Sequence, residues 1–291
     1  MVTYLAAATL DYNEQMVLDV RVPVRRSVRS QHRSMFGSIP ASAAAVLLLA
    51  CVPASAQWFK VPDPTTPRTA DGKPNLSAPA PKAPDGKPDL SGIWEADNLD
   101  RFFDLNLEPQ REVPLQPWAR AIVQQRIDNN HKDDPLNLCM PPGVPRAESI
   151  APFKIIQIPK EVIVIYETTS TSATRQFFLD GRALPKDPQP TWMGYSVGAW
   201  EGDVLKVDTT GFNDRGWLDT NLGHPQTQAL HVVERFHRLD FGHMEIGITI
   251  DDPKAYTAPW NSMIKVHLLP DTELFETICE NSKGLEHLVG K

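Results

Sequence analysis

Gly194-Tyr195-Ser196-Val197-Gly198-Ala199-Trp200, then Glu201-Gly202-Asp203, then Val204-Leu205-Lys206-Val207-Asp208-Thr209: two strand-like runs flank a short polar turn. In the second run Leu205, Val207 and Thr209 alternate with Lys206 and Asp208, the period of a strand with one buried face. The same pattern recurs downstream. Residues 231–239 turn at Asp240-Phe241-Gly242 into 243–250, where Met244, Ile246, Ile248 and Ile250 share one face and His243, Glu245, Gly247 and Thr249 the other. Upstream, 153–158 and 162–167 flank Pro159-Lys160, and 176–179 ends at the turn signal Asp180-Gly181. Downstream, 262–269 turns at Pro270-Asp271 into 273–280. The reading is a mainly β chain: an antiparallel meander of about nine strands that closes to protect its edges. A lipocalin-like barrel with an interior cavity is expected, with a two-sheet sandwich as the alternative.

One N-terminal amphipathic helix is expected before the strands. Pro117 suits a first turn, and Trp118, Ala119, Ile122, Val123 and Ile127 fall near one face, with Pro135 barring continuation. Residues 57–90 read as a Pro-rich linker, because eight of these 34 residues are proline and no apolar period runs through them. Inside lies a repeat at a spacing of 14: Asp71-Gly72-Lys73-Pro74-Asn75-Leu76-Ser77 and Asp85-Gly86-Lys87-Pro88-Asp89-Leu90-Ser91. Residues 91–291 then form a single barrel-like domain.

The first 56 residues have the parts of a secretory signal. Arg21, Arg25, Arg26, Arg29 and Arg33 precede the apolar run from Ala43 to Cys51, and Ala54-Ser55-Ala56 offers a small-x-small site. Cleavage after Ala56 would place the protein in the periplasm or outside the cell; the alternative is a lipoprotein anchored at Cys51. The apolar run is too short for a membrane span of roughly 20 residues. Cleavage takes five arginines and three acids from the 29 basic and 36 acidic side chains, leaving 24 and 33, a formal charge of −9. An acidic chain without a basic cluster argues against nucleic acid and anionic membrane as partners. In an oxidising compartment Cys139 and Cys279 are expected to form a disulfide bond.

Asp89-Leu90-Ser91-Gly92-Ile93-Trp94, Cys139-Met140-Pro141-Pro142-Gly143-Val144-Pro145-Arg146, Phe178-Leu179-Asp180-Gly181-Arg182, Gly211-Phe212-Asn213-Asp214-Arg215 and Ile250-Asp251-Asp252-Pro253-Lys254-Ala255-Tyr256 together resemble a widespread family of exported bacterial proteins. The resemblance covers about residues 85–290; it implies export and assigns no activity. Gly92-Ile93-Trp94 also resembles the Gly-x-Trp opening of lipocalins, in which the Trp plugs one end of the barrel.

Chemistry concentrates between Asn213 and His224. Asp214, Arg215, Asp219 and His224 fall within twelve residues, and loops on a rigid scaffold are where sites gather. His224 with Asp214 or Asp219 is the candidate acid–base pair, since imidazole titrates near neutrality and a carboxylate can fix its tautomer. His231 is the candidate to join it. Trp217, Arg215, Glu234, Arg235 and Tyr195 are candidate ligand contacts, with Arg175 or Arg182 as an interior partner for Glu234. Metal spacing is poor, and no phosphate loop, nucleotide fingerprint or Gly-x-Ser-x-Gly elbow occurs, so no cofactor is expected. The function expected is a cofactor-independent lyase, isomerase or hydrolase acting on an apolar or aromatic small molecule. The alternative is a binding or carrier protein without turnover.

Overall fold

The computed structural model describes residues 61–97, 112–168, 173–277 and 279. The stretch expected to be a secretory signal, with its expected cleavage site after Ala56 and the alternative anchor Cys51, lies outside them.

Nine strands close into a barrel in chain order. They are β1 (Gly92–Ala96), β2 (Phe153–Ile158), β3 (Glu161–Tyr166), β4 (Thr174–Phe178), β5 (Tyr195–Glu201), β6 (Val204–Thr210), β7 (His231–Arg238), β8 (His243–Asp251) and β9 (Trp260–Leu268). β9 returns to pair antiparallel with β1, Trp94 opposite Leu268, so no edge is left open. Every neighbouring pair is antiparallel except β4 and β5, which run parallel over Phe177↔Ser196 and Phe178↔Val197. That seam corrects the wholly antiparallel meander expected: a long connection, not a hairpin, joins these two strands. The strand expected over 273–280 does not form over residues 273–277. That stretch is held instead by the Cys139–Cys279 disulfide and by Phe275 N donating to Glu167 Oε2 at 3.0 Å.

The period-two reading assigns the faces correctly. Met244, Ile246, Ile248 and Ile250 point inward, as do Leu205, Val207 and Thr209. Trp94, Phe153, Phe177 and Phe236 fill the interior with them, all fully buried or nearly so. Trp94 Nε1 donates to Leu90 O at 3.0 Å, and the Arg238 guanidinium lies 4.9 Å from its ring. Arg238 in turn donates to the carbonyls of Asp89, Asp240 and Phe241, so one end of the barrel is sealed by an aromatic ring under a cation. Burial lowers the Arg238 pKa to about 10.

The proline-rich segment forms no regular element, yet its described part lies against the barrel. Each copy of the repeat makes the same small loop: Thr69 N bonds Lys73 O and Gly72 N bonds Thr69 O, and 14 residues on Ala83 N bonds Lys87 O and Gly86 N bonds Ala83 O, all at 2.8–2.9 Å. Leu76 O and Ala78 O accept from Gly242 N and Phe241 N, both at 2.7 Å, and Arg68 forks onto Asp271 at 2.6 and 2.8 Å. Leu90 is fully buried. Proline removes donors and periodic faces, but leaves carbonyls and single apolar side chains that can dock.

Helix α1 (Pro117–Asp128) starts at the expected proline. It buries only Ala119 and Val123; Trp118 is 45% exposed and Ile127 38%. The apolar stripe is thus narrower than the sequence suggests, and Trp118 is free to face something else. A short 3-10 turn (Pro135–Leu138) and helix α2 (Ala147–Ile150) follow.

Candidate binding cleft and the loop beside it

The loop after β6 folds around a buried carboxylate. Asp219 Oδ1 accepts from Leu222 N, Gly223 N and His224 N at 3.2, 2.6 and 3.2 Å, and Oδ2 meets His224 Nδ1. Both side chains are at least 98% buried. Burial alone would raise the Asp219 carboxyl, but the His224 imidazole and the backbone N–H groups hold it below the usual carboxylate value. The expected pair therefore forms, with Asp219 and not Asp214 as the acid. It lies in a dense layer: the rings of His224 and Trp260 are 5.9 Å apart, those of Tyr256 and Trp260 5.5 Å, and Tyr256 Oη donates to Pro225 O at 2.7 Å.

Trp217 is also enclosed, 2% exposed. The Arg126 guanidinium stacks 4.2 Å from its centroid and donates to Gly223 O, while His131 meets its edge at 5.8 Å. Desolvation brings Arg126 down to a pKa of about 10. Arg146, 1% exposed, forks onto Asp134 at 2.9 and 2.6 Å and bonds Thr220 at 2.9 Å. Trp217 thus serves as the centre of a cation-clad core that ties α1 to the loop.

Other expected site residues are scattered. His231 points outward from β7 and meets Asp208 at 3.2 Å. Arg235 is on the same outer face, 3.9 Å from Glu201. Tyr195 accepts from Arg182 at 3.1 Å on the outer wall, beside Phe178. Arg215 is exposed, its guanidinium 4.8 Å from the Trp192 ring. Glu234 faces inward, where Arg175 bonds it at 2.5 and 3.0 Å. Of the two partners the sequence offers, Arg175 takes the role and Arg182 stays outside with Asp180.

Two features were not legible in the sequence. The first is Glu148 on α2, which reaches into the barrel to accept from Arg175 Nη1 at 2.5 Å and from the Tyr166 hydroxyl. Burial raises its pKa to about 7, against the pull of Arg175. Glu148 Oε2 and Arg175 Nε are buried without a hydrogen-bond partner. The second is a cleft of about 530 Å³ between α1 and the loop, lined by Trp118, Ile122 and Arg126 on one wall, Pro225–Gln228 on the other, and Asp214 and Lys254. Trp118, Ile122 and Arg126 recur every fourth residue, so they form one stripe along the helix. Trp118 Nε1 donates to Lys254 O at 2.8 Å, fixing the ring. Gln226 is 3% exposed; its Nε2 donates to Asn213 O at 2.8 Å, whereas its Oε1 has no partner. Of the residues expected to do chemistry, only Asp214 lines this cleft.

Among the described residues, no group of three His, Cys, Asp or Glu could hold a metal ion, and no helix is long and apolar enough to cross a membrane. No family model, curated protein or solved structure matches the chain.

Proposed function

We propose that this chain is an exported protein that binds a small molecule in the cleft between α1 and the 225–228 loop, without turning it over. One observation carries the reading: a half-exposed, hydrogen-bonded Trp118 opens onto the cleft with Ile122 beside it, and the exposed Asp214, Gln228 and Lys254 supply polar groups on its walls. A cleft of ~300–1,000 Å³ with an apolar wall and a few convergent polar groups is the usual form of a small-molecule site. The disulfide supports export, since such bonds persist in oxidising compartments. The interior of the barrel is a poorer host, filled by aromatic and aliphatic side chains around the Arg175 cluster.

The test is to incubate the purified chain and its Trp118→Ala and Asp214→Ala variants with an extract of small metabolites and weigh them by native mass spectrometry. A species retained by the parent, lost from both variants and not consumed supports binding. Equal retention by all three sinks the cleft.

A second reading, acid–base catalysis by His224 with Asp219 holding its tautomer, has the buried pair in its favour. It needs the ring to reach a substrate. A metabolite consumed by the parent and untouched by His224→Gln would establish it.

A further inference from the structure

We infer that the ligand of the cleft is an aromatic hydroxy acid: one carboxylate, held by Arg126, on a flat apolar body that carries a hydroxyl for Asp214. This names the ligand class for the binding reading above and rests on it.

Arg126 is the uncommitted cation of the cleft. Its face is stacked on Trp217 and its Nη1 donates to Gly223 O. Among the described residues its Nε and Nη2 meet no acceptor, and neither is sealed from solvent. Arg146, Arg175 and Arg238 are enclosed too, and each is better supplied: Arg146 by Asp134, Arg175 by Glu148 and Glu234, Arg238 by the carbonyls of Asp89, Asp240 and Phe241. The acids around Arg126 are already engaged. Asp219 holds His224 and three backbone N–H groups, Asp134 takes the Arg146 fork, and Asp133 is exposed and accepts from Asn129. A guanidinium edge with two parallel N–H groups matches a carboxylate, which it meets with two charge-assisted hydrogen bonds. Such a partner would also offset the desolvation that Arg126 already bears.

Charge over the lining agrees. Arg126 and Lys254 are positive and Asp214 is negative, which leaves one net positive charge and fits a monoanion. Lys254 and Asp214 are both exposed, so water screens them more than it screens the half-buried Arg126. Gln226 Nε2 is bonded to Asn213 O, and Asp252 is occupied by Thr227 N, Thr227 Oγ1 and Lys254 N, so these groups shape the wall and leave recognition to the charged side chains. Asp214 only accepts. A hydroxyl gives it a donor without adding charge, whereas an ammonium would cancel the monoanion.

The apolar wall sets the size of the body. Trp118 keeps 45% of its surface open, its Nε1 held by Lys254 O, with Ile122 beside it. An indole fixed in this way offers a broad rigid face for another ring. From Trp118 to Arg126 the stripe runs eight residues along α1, about 12 Å at the ordinary helical rise. That distance suits a ring with a short acid chain, and is too long for a small anion to touch both ends.

The experiment is an amide-shift titration by NMR of the purified, disulfide-bonded chain. The probe is para-hydroxyphenylpropionate; the contrasts are its amide, phenylpropionate, acetate and the metabolite extract. The hydroxy acid should give saturable shifts at Trp118, Ile122 and Arg126, and its amide should bind at least about tenfold more weakly. Phenylpropionate should bind several-fold more weakly. Arg126→Lys keeps a charge over Trp217 but loses the fork, and should weaken the hydroxy acid at least about tenfold. If that variant does not fold, the amide makes the same comparison on the parent. Asp214→Ala should bring the hydroxy acid down to phenylpropionate and leave phenylpropionate no weaker, because a hydrogen bond to a carboxylate outweighs the screened repulsion removed with it. An amide that binds as tightly as the acid would overturn the carboxylate. Equal binding of phenylpropionate would overturn the hydroxyl, and equal binding of acetate the aromatic body. Cleft shifts with the extract alone would overturn the class and leave the binding reading standing. No shift at the cleft with any of them would overturn the binding reading itself.

Discussion

Glu148 and Glu234 share one guanidinium nitrogen: Arg175 Nη1 donates to the first at 2.5 Å and to the second at 3.0 Å. All three side chains are at least 97% buried, so two acids compete for one cation inside a closed wall. Ionising both leaves an uncompensated negative charge in the barrel, and burial resolves this by raising Glu148 to about 7. The unfolded chain releases that proton near the ordinary glutamate value of 4.5. Between these values the native state binds the extra proton, so stability is greatest below the unfolded value and declines as pH rises towards 7. Glu148→Gln fixes the neutral form. The parent's melting temperature, subtracted from the variant's, should rise steadily from pH 5 to 7.5 and level off above; a flat difference would refute the assignment.

His224→Ala should destabilise the fold. It removes the partner of a carboxylate that is fully buried, a change that typically costs about 3–5 kcal/mol. Urea unfolding followed by far-ultraviolet circular dichroism measures it. A loss under ~1 kcal/mol, the scale of an exposed ion pair, would mean that water reaches Asp219 once the ring is gone.

The disulfide closes a loop across 140 residues and pins the chain beyond β9. Loop-closure entropy sets its contribution at about 3–5 kcal/mol. The Cys139→Ser/Cys279→Ser variant should unfold at correspondingly lower urea. Hydrogen exchange should also quicken at Phe275, whose N–H is bonded to Glu167.

Gly242→Ala probes the strap. A Cβ there would stand 2.4 Å from Leu76 Cβ and 2.9 Å from Leu76 Cα, backbone that cannot swing aside. Overpacking of this kind costs about 1–3 kcal/mol. Limited proteolysis should cut the variant faster around residues 69–78, with the barrel core intact; unchanged cleavage would show that the strap is held elsewhere.

The barrel was legible because its signal is local. Alternation over Val204–Thr210 and His243–Asp251 fixes which side chains enter, and Asp240-Phe241-Gly242 marks the turn between them. The pairing of Asp219 with His224 was legible for the same reason, five residues apart in one loop. The parallel seam was not, since nothing in Thr174–Phe178 or Tyr195–Glu201 records the direction of a neighbour. Nor was Glu148 inside the barrel, which depends on how residues 144–151 fold back across the end. Trp118 read as core because a helix period counts apolar residues without saying which neighbour each will find. The cleft is likewise made by joining α1 to residues at least 88 positions further along the chain, from Asp214 onward.

The parallel seam has a consequence for how the molecule breathes. β7 and β8 are stitched through eight paired positions, from His231↔Asp251 to Arg238↔Met244, whereas β4 and β5 meet at only two. A cylinder gives way along its least sewn line. The wall should part there first, into a curved sheet still hinged through β1 and β9. Arg175 sits on β4 and Ser196, its hydroxyl partner, on β5, so such a parting would run beside the buried charges and admit water to them before any other part of the core.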